Sequence, residues 1–341
     1  MGQWQFRIDL FQNINSQYGV LHHFTYALQK ALQRHHIQSR VHDFQTQSLE
    51  EIIAHLRKDK PDFTFGFNVF LGSNKETFSS LFGRGFIVCV VDAVTHYPEI
   101  FSDANEKVYP CFVDENSVQL FQELSGKKSF YLPHAVDREY LQRSISGKRI
   151  YDVVLPGTFI DPDEIKLLWK EMFAKKTIQL LEDTIDNVLA SPTLSHLTAF
   201  RTLFRSHREI GEAIQAKGVT EFEAMNSMEK MMRARDRIAL LNALQDCALY
   251  IVGPEQDQLL WKKHVKTKLQ FLPARPFDEM IQLFHQSKVV INSMPMIKHG
   301  LHERLLYGLV SGASVVTQQN AIIPQFFPED LAVGYYLPPH Y

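Results

Sequence analysis

The 341-residue chain carries 36 Lys plus Arg against 38 Asp plus Glu, so its net charge of −2 provides no general attraction to nucleic acid or to an anionic membrane, and no nucleic-acid partner is expected. With 45% hydrophobic and 22% charged residues it can bury two ordinary cores, and two domains are the expectation. Its three cysteines lack CxxC spacing, which argues against a disulfide scaffold or structural zinc site and fits a reducing, cytoplasmic setting.

The N-terminus has no basic region followed by an apolar run, so no secretion signal is read there. Phe6–Phe11 reads as a strand, and after a loop through Tyr18 and Gly19 the segment from Val20 has Leu21, Phe24, Ala27, Leu28, Ala31 and Leu32 at helical spacing. Ser39–Phe44 reads as a strand, Ser48–Arg57 as a helix with Ser48 as its cap, and Asp62–Phe67 as a strand. The apolar run within Gly85–Asp92 suits a parallel strand covered on both faces and is too short to span a bilayer, so no transmembrane segment is expected. Asp92 at its end sits where an open α/β sheet places reactive groups. Its alternative is a cap for Thr95–Tyr97. His96, four residues on, has the pKa of a general base toward an acceptor hydroxyl. Ser117–Leu124 then reads as helix and Ser129–Leu132 as strand.

A polar stretch from Ser144 leads to a strand at Val153–Gly157, so the boundary is placed between residues 148 and 149. Residues 162–246 show helical spacing without strand signals, including Ile165–Ile185 as one periodic stretch and Ala224–Leu244, with breaks at Pro192 and Gly218. Met225, Met228, Met231 and Met232 at helical spacing read as core packing or an adaptable contact face. Strand patterns return at Ala248–Gly253, Lys268–Leu272, Val289–Asn292 and Ser314–Thr317. The strand, polar turn, helix and strand of residues 289–317 put a turn at the carboxyl end of a strand and the N-terminus of a helix, where α/β proteins bind anions.

Four polar residues crowd that turn: His299, His302, Glu303 and Arg304. If a helix starts near Leu301, its apolar arc is Leu301, Leu305, Leu306, Leu309 and Val310, with Glu303 and Tyr307 sharing the opposite face. Free N–H groups of the first turn would meet a diphosphate, with Arg304 or a histidine neutralising it further. Gly300 and Gly312 would permit close approach or positive φ, and Asn292 at its strand end is a further polar contact. Glu303 with Arg304 also reads as a solvated pair, and the two histidines as turn caps. A metal site from His299, His302 and Glu303 lacks the HExxH pattern. The chain has no Walker loop, GxGxxG, GxSxG or CxxC pair.

The ordered motifs of residues 234–317 resemble the C-terminal domain of GT-B glycosyltransferases, closest to the spore-maturation (CgeB-like) group. They are a strand ending Val252-Gly253-Pro254, a strand followed by Phe277-Asp278-Glu279-Met280, a strand ending at Asn292, and His302-Glu303-Arg304 opening a helix before Ser311-Gly312-Ala313. Upstream, the segment from Val91 to Glu99 resembles that group's cleft-facing strand end, and Tyr131–Asp137, with His134, its crossover between domains.

The resemblance implies two Rossmann-like domains facing a cleft. Residues 1–148 would take the acceptor, through Tyr18, Gly19 and the Asp92–His96 segment, with His134 as a hinge residue. Residues 149–341 would hold a nucleotide-diphosphate sugar, a UDP-sugar foremost, at Gly253, Asn292, His299, Gly300, His302, Glu303, Arg304 and Tyr307. The implied reaction is sugar transfer to a glycan, protein or small-molecule acceptor, without a cofactor or bound metal. Retaining members of this fold carry two glutamates that would fall on His299 and Tyr307, so the anomeric outcome stays open. A sugar-nucleotide epimerase or hydrolase, and a degenerate domain kept for binding, remain alternatives. GT-B chains also end in a closing helix, whereas the segment from Gly334 shows no helical period, which is read as truncation or loss.

Overall fold

The computed structural model describes residues 6–69, 84–103, 107–142, 147–327 and 333–336. Ser144 and the tail from Leu337 lie outside them. The chain divides into two compact units, Met1–Gln142 with Pro276–Asp278 and Arg143–Arg275 with Glu279–Tyr341. Each unit carries a six-stranded sheet of parallel pairings with helices between strands, the doubly wound arrangement that the alternating patterns imply.

In the first unit the elements are β1 (Arg7–Gln12), α1 (Val20–Arg34), β2 (Gln38–Asp43), α2 (Leu49–Asp59), β3 (Phe63–Phe67), β4 (Gly85–Val90), α3 (Glu99–Asp103), β5 (Val108–Phe112), α4 (Glu115–Ser125) and β6 (Phe130–Tyr131). The strand order β2-β1-β3-β4-β5-β6 reverses direction of growth between β1 and β3, which opens a crevice at their carboxyl ends. Leu10, Phe65, Cys89, Cys111 and Val113 form a core cluster beneath α1 residues Leu28 and Leu32. The start of α2 follows directly from sequence: the Ser48 hydroxyl accepts from Glu51 N while the Glu51 carboxylate accepts from Ser48 N, a reciprocal cap.

The second sheet is built from β7 (Tyr151–Pro156), β8 (Leu249–Gly253), β9 (Leu269–Pro273), β10 (Ser287–Asn292), β11 (Ser314–Gln318) and β12 (Val333–Tyr336), in the order β12-β11-β10-β7-β8-β9. Its reversal lies between β7 and β10. Between β7 and β8 run α5 (Pro162–Met172), α6 (Lys175–Ala190), α7 (His196–Ser206), α8 (Arg208–Ala216) and α9 (Glu221–Ala243); α10 (Gln258–His264), α11 (Phe277–His285), α12 (Glu303–Val310) and α13 (Ile323–Phe326) follow. The stretch read as one helix from Ile165 breaks at Phe173 and Ala174, whose backbones are extended, so that α5 and α6 turn to pack separately against α9. Met225, Met228, Met231 and Met232 are all buried, the packing role their spacing implied. Gly308 lets α12 lie directly on β11, since a Cβ there would come 2.7 Å from Val315 Cγ2.

Five elements escaped the sequence reading: α3, β5, α10, α13 and β12. Pro110 disguises β5, but it falls just before the two positions that pair with β6. The short α10 and the edge strand β12 were likewise unread, and β12 continues the sheet where only an irregular end was expected. Among the described residues no helix is long and apolar enough to cross a membrane.

Candidate functional site

The longest described helix, α9, carries an unusual buried face. Glu229, Arg233, Asp236 and Arg237 recur at helical spacing in phase with Met225, Met228, Met232 and Leu240, so charges sit where an amphipathic helix places its core stripe. Asp236 is 0% exposed and Arg237 3%. Both groups reach the carboxyl ends of strands at the sheet's reversal. Arg237 Nη1 donates to Thr158 O (2.7 Å) just beyond β7, and its guanidinium lies against Gly157, where a Cβ would be 3.4 Å from Cζ. Asp236 Oδ2 accepts from Ser293 Oγ (2.6 Å), just beyond β10, and from the Tyr336 hydroxyl (2.8 Å) on β12.

Arg304, on the first turn of α12, joins this cluster electrostatically. Burial works against its charge and Arg233 adds to the effect, against the opposing pull of Glu303. Burial likewise drives Arg237 well below its ordinary range, reinforced by Arg233 and Arg304 and resisted by Asp236. Burial also raises Asp236 against the hydrogen bonds from Ser293 and Tyr336. Arg233, Arg237, Arg304 and Lys298 supply four positive charges against three negative ones from Glu229, Asp236 and Glu303, a surplus of one.

Several polar atoms here are buried without a protein partner. They are the donors Arg233 Nε, Arg237 Nε and Arg304 Nη1, and the acceptors Asp236 Oδ1 and Asn292 Oδ1. A buried orphan of this kind costs roughly 1–3 kcal/mol unless something else bonds it. Three guanidinium donors and two acceptors fit a ligand that is anionic at one part and hydroxylated at another.

The residues singled out in the sequence fall as follows. Asn292 is buried and its Nδ2 donates to Thr317 Oγ1 (3.0 Å). Gly253 ends β8 against the backbone of the residue after β7, where a Cβ would come 2.6 Å from Gly157 O. His302 caps α12: its Nδ1 accepts from Arg304 N (3.2 Å), which leaves Nε2 to donate to Glu303 Oε2 (2.9 Å). The first helical turn is therefore capped by its own imidazole, and one of the N–H groups assigned to a diphosphate is already bonded. Tyr307 is 1% exposed and belongs to the core, because the helix buries more of its circumference than the expected arc and leaves Glu303 without that companion on an open face. Gly300 has no positive φ; its carbonyl accepts from Asn320 Nδ2 (2.9 Å), while Gly312 does turn left-handed at φ 73°. His299 is half-buried beside it.

In the first unit, Asn13 and Asn68 tie together the carboxyl ends at the reversal between β1 and β3. Asn13 Nδ2 donates to Phe67 O and Asn68 O, and Asn68 Nδ2 donates to Asp92 Oδ2 (2.8 Å), which also accepts from the Tyr97 hydroxyl (2.9 Å). Asp92 is exposed and carries no cap: the short turn Val94–His96 starts at Ala93 without a side-chain bond. Burial and the adjacent Asp92 carboxylate push the Tyr97 hydroxyl up, keeping it a donor. His96 is half-buried in that turn. Tyr18 and Gly19 both take left-handed backbone, φ 55° and 74°, at the entry to α1, and Tyr18 is exposed. His134 packs on Phe24, with ring centroids 5.7 Å apart.

Among the described residues, the His, Cys, Asp and Glu group with donor atoms close enough to share a cation is Asp161, Asp163 and His264, not the His299 turn. Asp161 already caps α5 through Asp163 N, and Asp163 already pairs with Lys263 Nζ (2.7 Å). Arg233, Asp236, Arg237, Lys298, Ser293 and Tyr336 were not singled out in the sequence. The available signal was the charge on α9 in phase with its methionines.

No family model matches the sequence, and no curated protein matches it significantly. Solved structures do. A T4 phage BGT mutant in complex with UDP-glucose superposes with a TM-score of 0.50 at 9% identity, over 96% of this chain and 85% of that one. An alpha-glucosyltransferase in complex with UDP and a 13-mer DNA gives 0.47 at 11% identity, over 92% and 80%. AviGT4, a glycosyltransferase involved in avilamycin A biosynthesis, gives 0.47 at 10% identity, over 98% and 86%. The fold is thus the GT-B glycosyltransferase fold, two Rossmann-like domains. The DNA complex overturns one expectation from net charge: formal charge near zero does not exclude a nucleic-acid partner for a chain of this fold, because a local patch rather than the total governs contact.

Proposed function

We propose that the protein transfers a sugar from a nucleoside diphosphate sugar, a UDP-sugar foremost, to a hydroxyl or similar nucleophile of an acceptor. The observation that carries this reading is the buried set of unpartnered guanidinium N–H groups from Arg233, Arg237 and Arg304, three cations that act on one another, with Arg237 bonded to the carbonyl just beyond β7. A diphosphate leaving group gains negative charge as the glycosidic bond breaks, and fixed cations in a dry site stabilise that charge most where it develops. Asn292 Oδ1 and Asp236 Oδ1 would accept from donor hydroxyls. His302 and Glu303 would act by fixing the start of α12, which aims Arg304.

For the acceptor we assign Asp92, oriented by Asn68 and Tyr97, as the group that takes the proton, with His96 as its alternative. Tyr18, Gly19 and His134 are assigned to the acceptor side. The ordered motifs of residues 234–317 support a place near the spore-maturation group. Acceptors include glycans, proteins, small molecules and nucleic acids. With three arginines available for the diphosphate, we assign no role to a bound metal.

A thermal-shift screen against UDP, GDP, CDP and dTDP tests the reading. One nucleotide is expected to stabilise the wild type, by about 2.7 kcal/mol at a hundredfold excess over Kd, and Arg237→Ala and Arg304→Ala are expected to lose that shift. If no nucleotide shifts the wild type, or the variants shift equally, the donor assignment falls.

A further inference from the structure

Lys298, in the loop between β10 and α12, is 0% exposed. Its ammonium donates to Ser191 O (2.8 Å), the residue that closes α6. From the end of β11, the buried Gln318 donates through Nε2 to Leu189 O (3.0 Å) in the last turn of the same helix. A helix C-terminus leaves carbonyls without intrahelical partners and carries partial negative charge, so an ammonium and an amide are suitable groups to receive it. Lys298 itself is held in place from behind: Asn320 Nδ2 donates to Ile297 O and Gly300 O on either side of it, and Ala321 N donates to Lys298 O.

That arrangement is costly for the fold. Burial pushes the Lys298 ammonium down to about 8, and Asp236 only partly offsets the effect. A buried ammonium with one fixed oxygen partner lowers stability at neutral pH relative to an apolar side chain of the same length. A neutral amide such as Gln318 shows that helix-end carbonyls can be met without a charge. The charge therefore has a use beyond closing α6.

We propose that Lys298 is a positioning residue that locks the end of α6 onto the loop entering α12 and, by its charge, sets the anion affinity of the Arg233, Arg237 and Arg304 cluster. This rests on the nucleotide-sugar reading of that cluster. The ionisable group that acts on its ammonium is Asp236 from α9, which in turn faces Arg237 from α9 and Tyr336 from β12, while Arg237 faces Arg233 and Arg304; His299 follows it in its own loop, and the α6 end offers backbone carbonyls. Loss of the proton from Lys298 removes one positive charge and loosens the contact with α6, so the site weakens as pH rises.

The test is calorimetric binding of UDP and of inorganic pyrophosphate from pH 7 to 9.5, with melting curves, for the wild type and Lys298→Met. Wild-type affinity for both probes is expected to fall about tenfold across this range, since one unit charge held near a diphosphate is worth about that factor. Lys298→Met is expected to bind at pH 7 as weakly as the wild type does at pH 9.5, to show little further pH dependence, and to melt higher than the wild type at pH 7. A variant that keeps wild-type affinity and the same pH profile overturns the role of Lys298 while leaving the nucleotide reading in place. Pyrophosphate binding with the expected profile but no UDP binding sustains the role of Lys298 and sinks the nucleotide reading, whereas binding of neither probe to the wild type sinks both.

Discussion

Asp236 shows what a single residue on the wrong face of a helix reveals. Its carboxylate is fully buried, holds Ser293 and Tyr336 through one oxygen and leaves the other without a partner. Burial is the main cause of its raised pKa, so the carboxylate is held in the folded state at a greater cost than in the unfolded chain. The sign of the linkage follows: the folded state holds its proton to higher pH than the unfolded chain, and stability from this group falls as pH rises from the unfolded value near 3.8 through the folded one. Asp236→Asn, of the same shape and always neutral, is therefore expected to raise stability at pH 7. The gain should vanish near pH 3. Urea denaturation at the two pH values checks this, and equal effects at both would show that lost hydrogen bonds rather than charge govern the site. Donor binding in this variant should weaken, since Asp236 is also the counter-charge that holds Arg237 in place.

At the scale of elements, helices whose ends are written in short polar signals were legible in advance. The Ser48 cap read in the sequence does start α2; the reciprocal Thr220–Glu223 cap of α9, which was read only from Ala224, and the Asp161–Pro162 start of α5 are signals of the same kind that the sequence reading passed over. The break between α5 and α6 carries no Gly or Pro and was not legible, because packing against α9 rather than local propensity sets it. The close approach of β7 and β8 makes a prediction at this scale. Gly253→Ala places a methyl carbon 2.6 Å from Gly157 O, so it should cost about 1–3 kcal/mol and disturb the neighbouring Thr158 carbonyl that Arg237 grips. A combined measurement of unfolding and of nucleotide affinity decides the point. Unchanged values for both would mean that the two strand ends can separate freely.

At the scale of the molecule, the second sheet gathers its ionisable groups at the point where strand order reverses, which is where open α/β sheets bind ligands for geometric reasons. Arginines in that place imply a chemistry that fixed protein charge can support. Incubation with a radiolabelled UDP-sugar and an acceptor panel should give transfer products that persist in excess EDTA. Release of free sugar without transfer would favour a hydrolase on this fold, and complete loss of transfer with EDTA, restored by Mn2+, would reassign charge neutralisation to a metal.

The amino-acid sequence by itself determined the alternation of strands and helices, the helical stretch after β7, and the polar turn between β10 and α12. These are properties of local periodicity, capping and turn residues, which neighbouring residues in the chain decide. Which side chains share the site was decided by tertiary structure alone. Arg233 and Arg237 lie far along the chain from Arg304, Lys298 and Tyr336, and only the packing of α9 across the ends of β7 and β10 makes their charges one group. The same packing took Tyr307 into the core and gave the Arg304 N–H of α12 to His302, so the helix start that looked like the whole anion site is one wall of the proposed one.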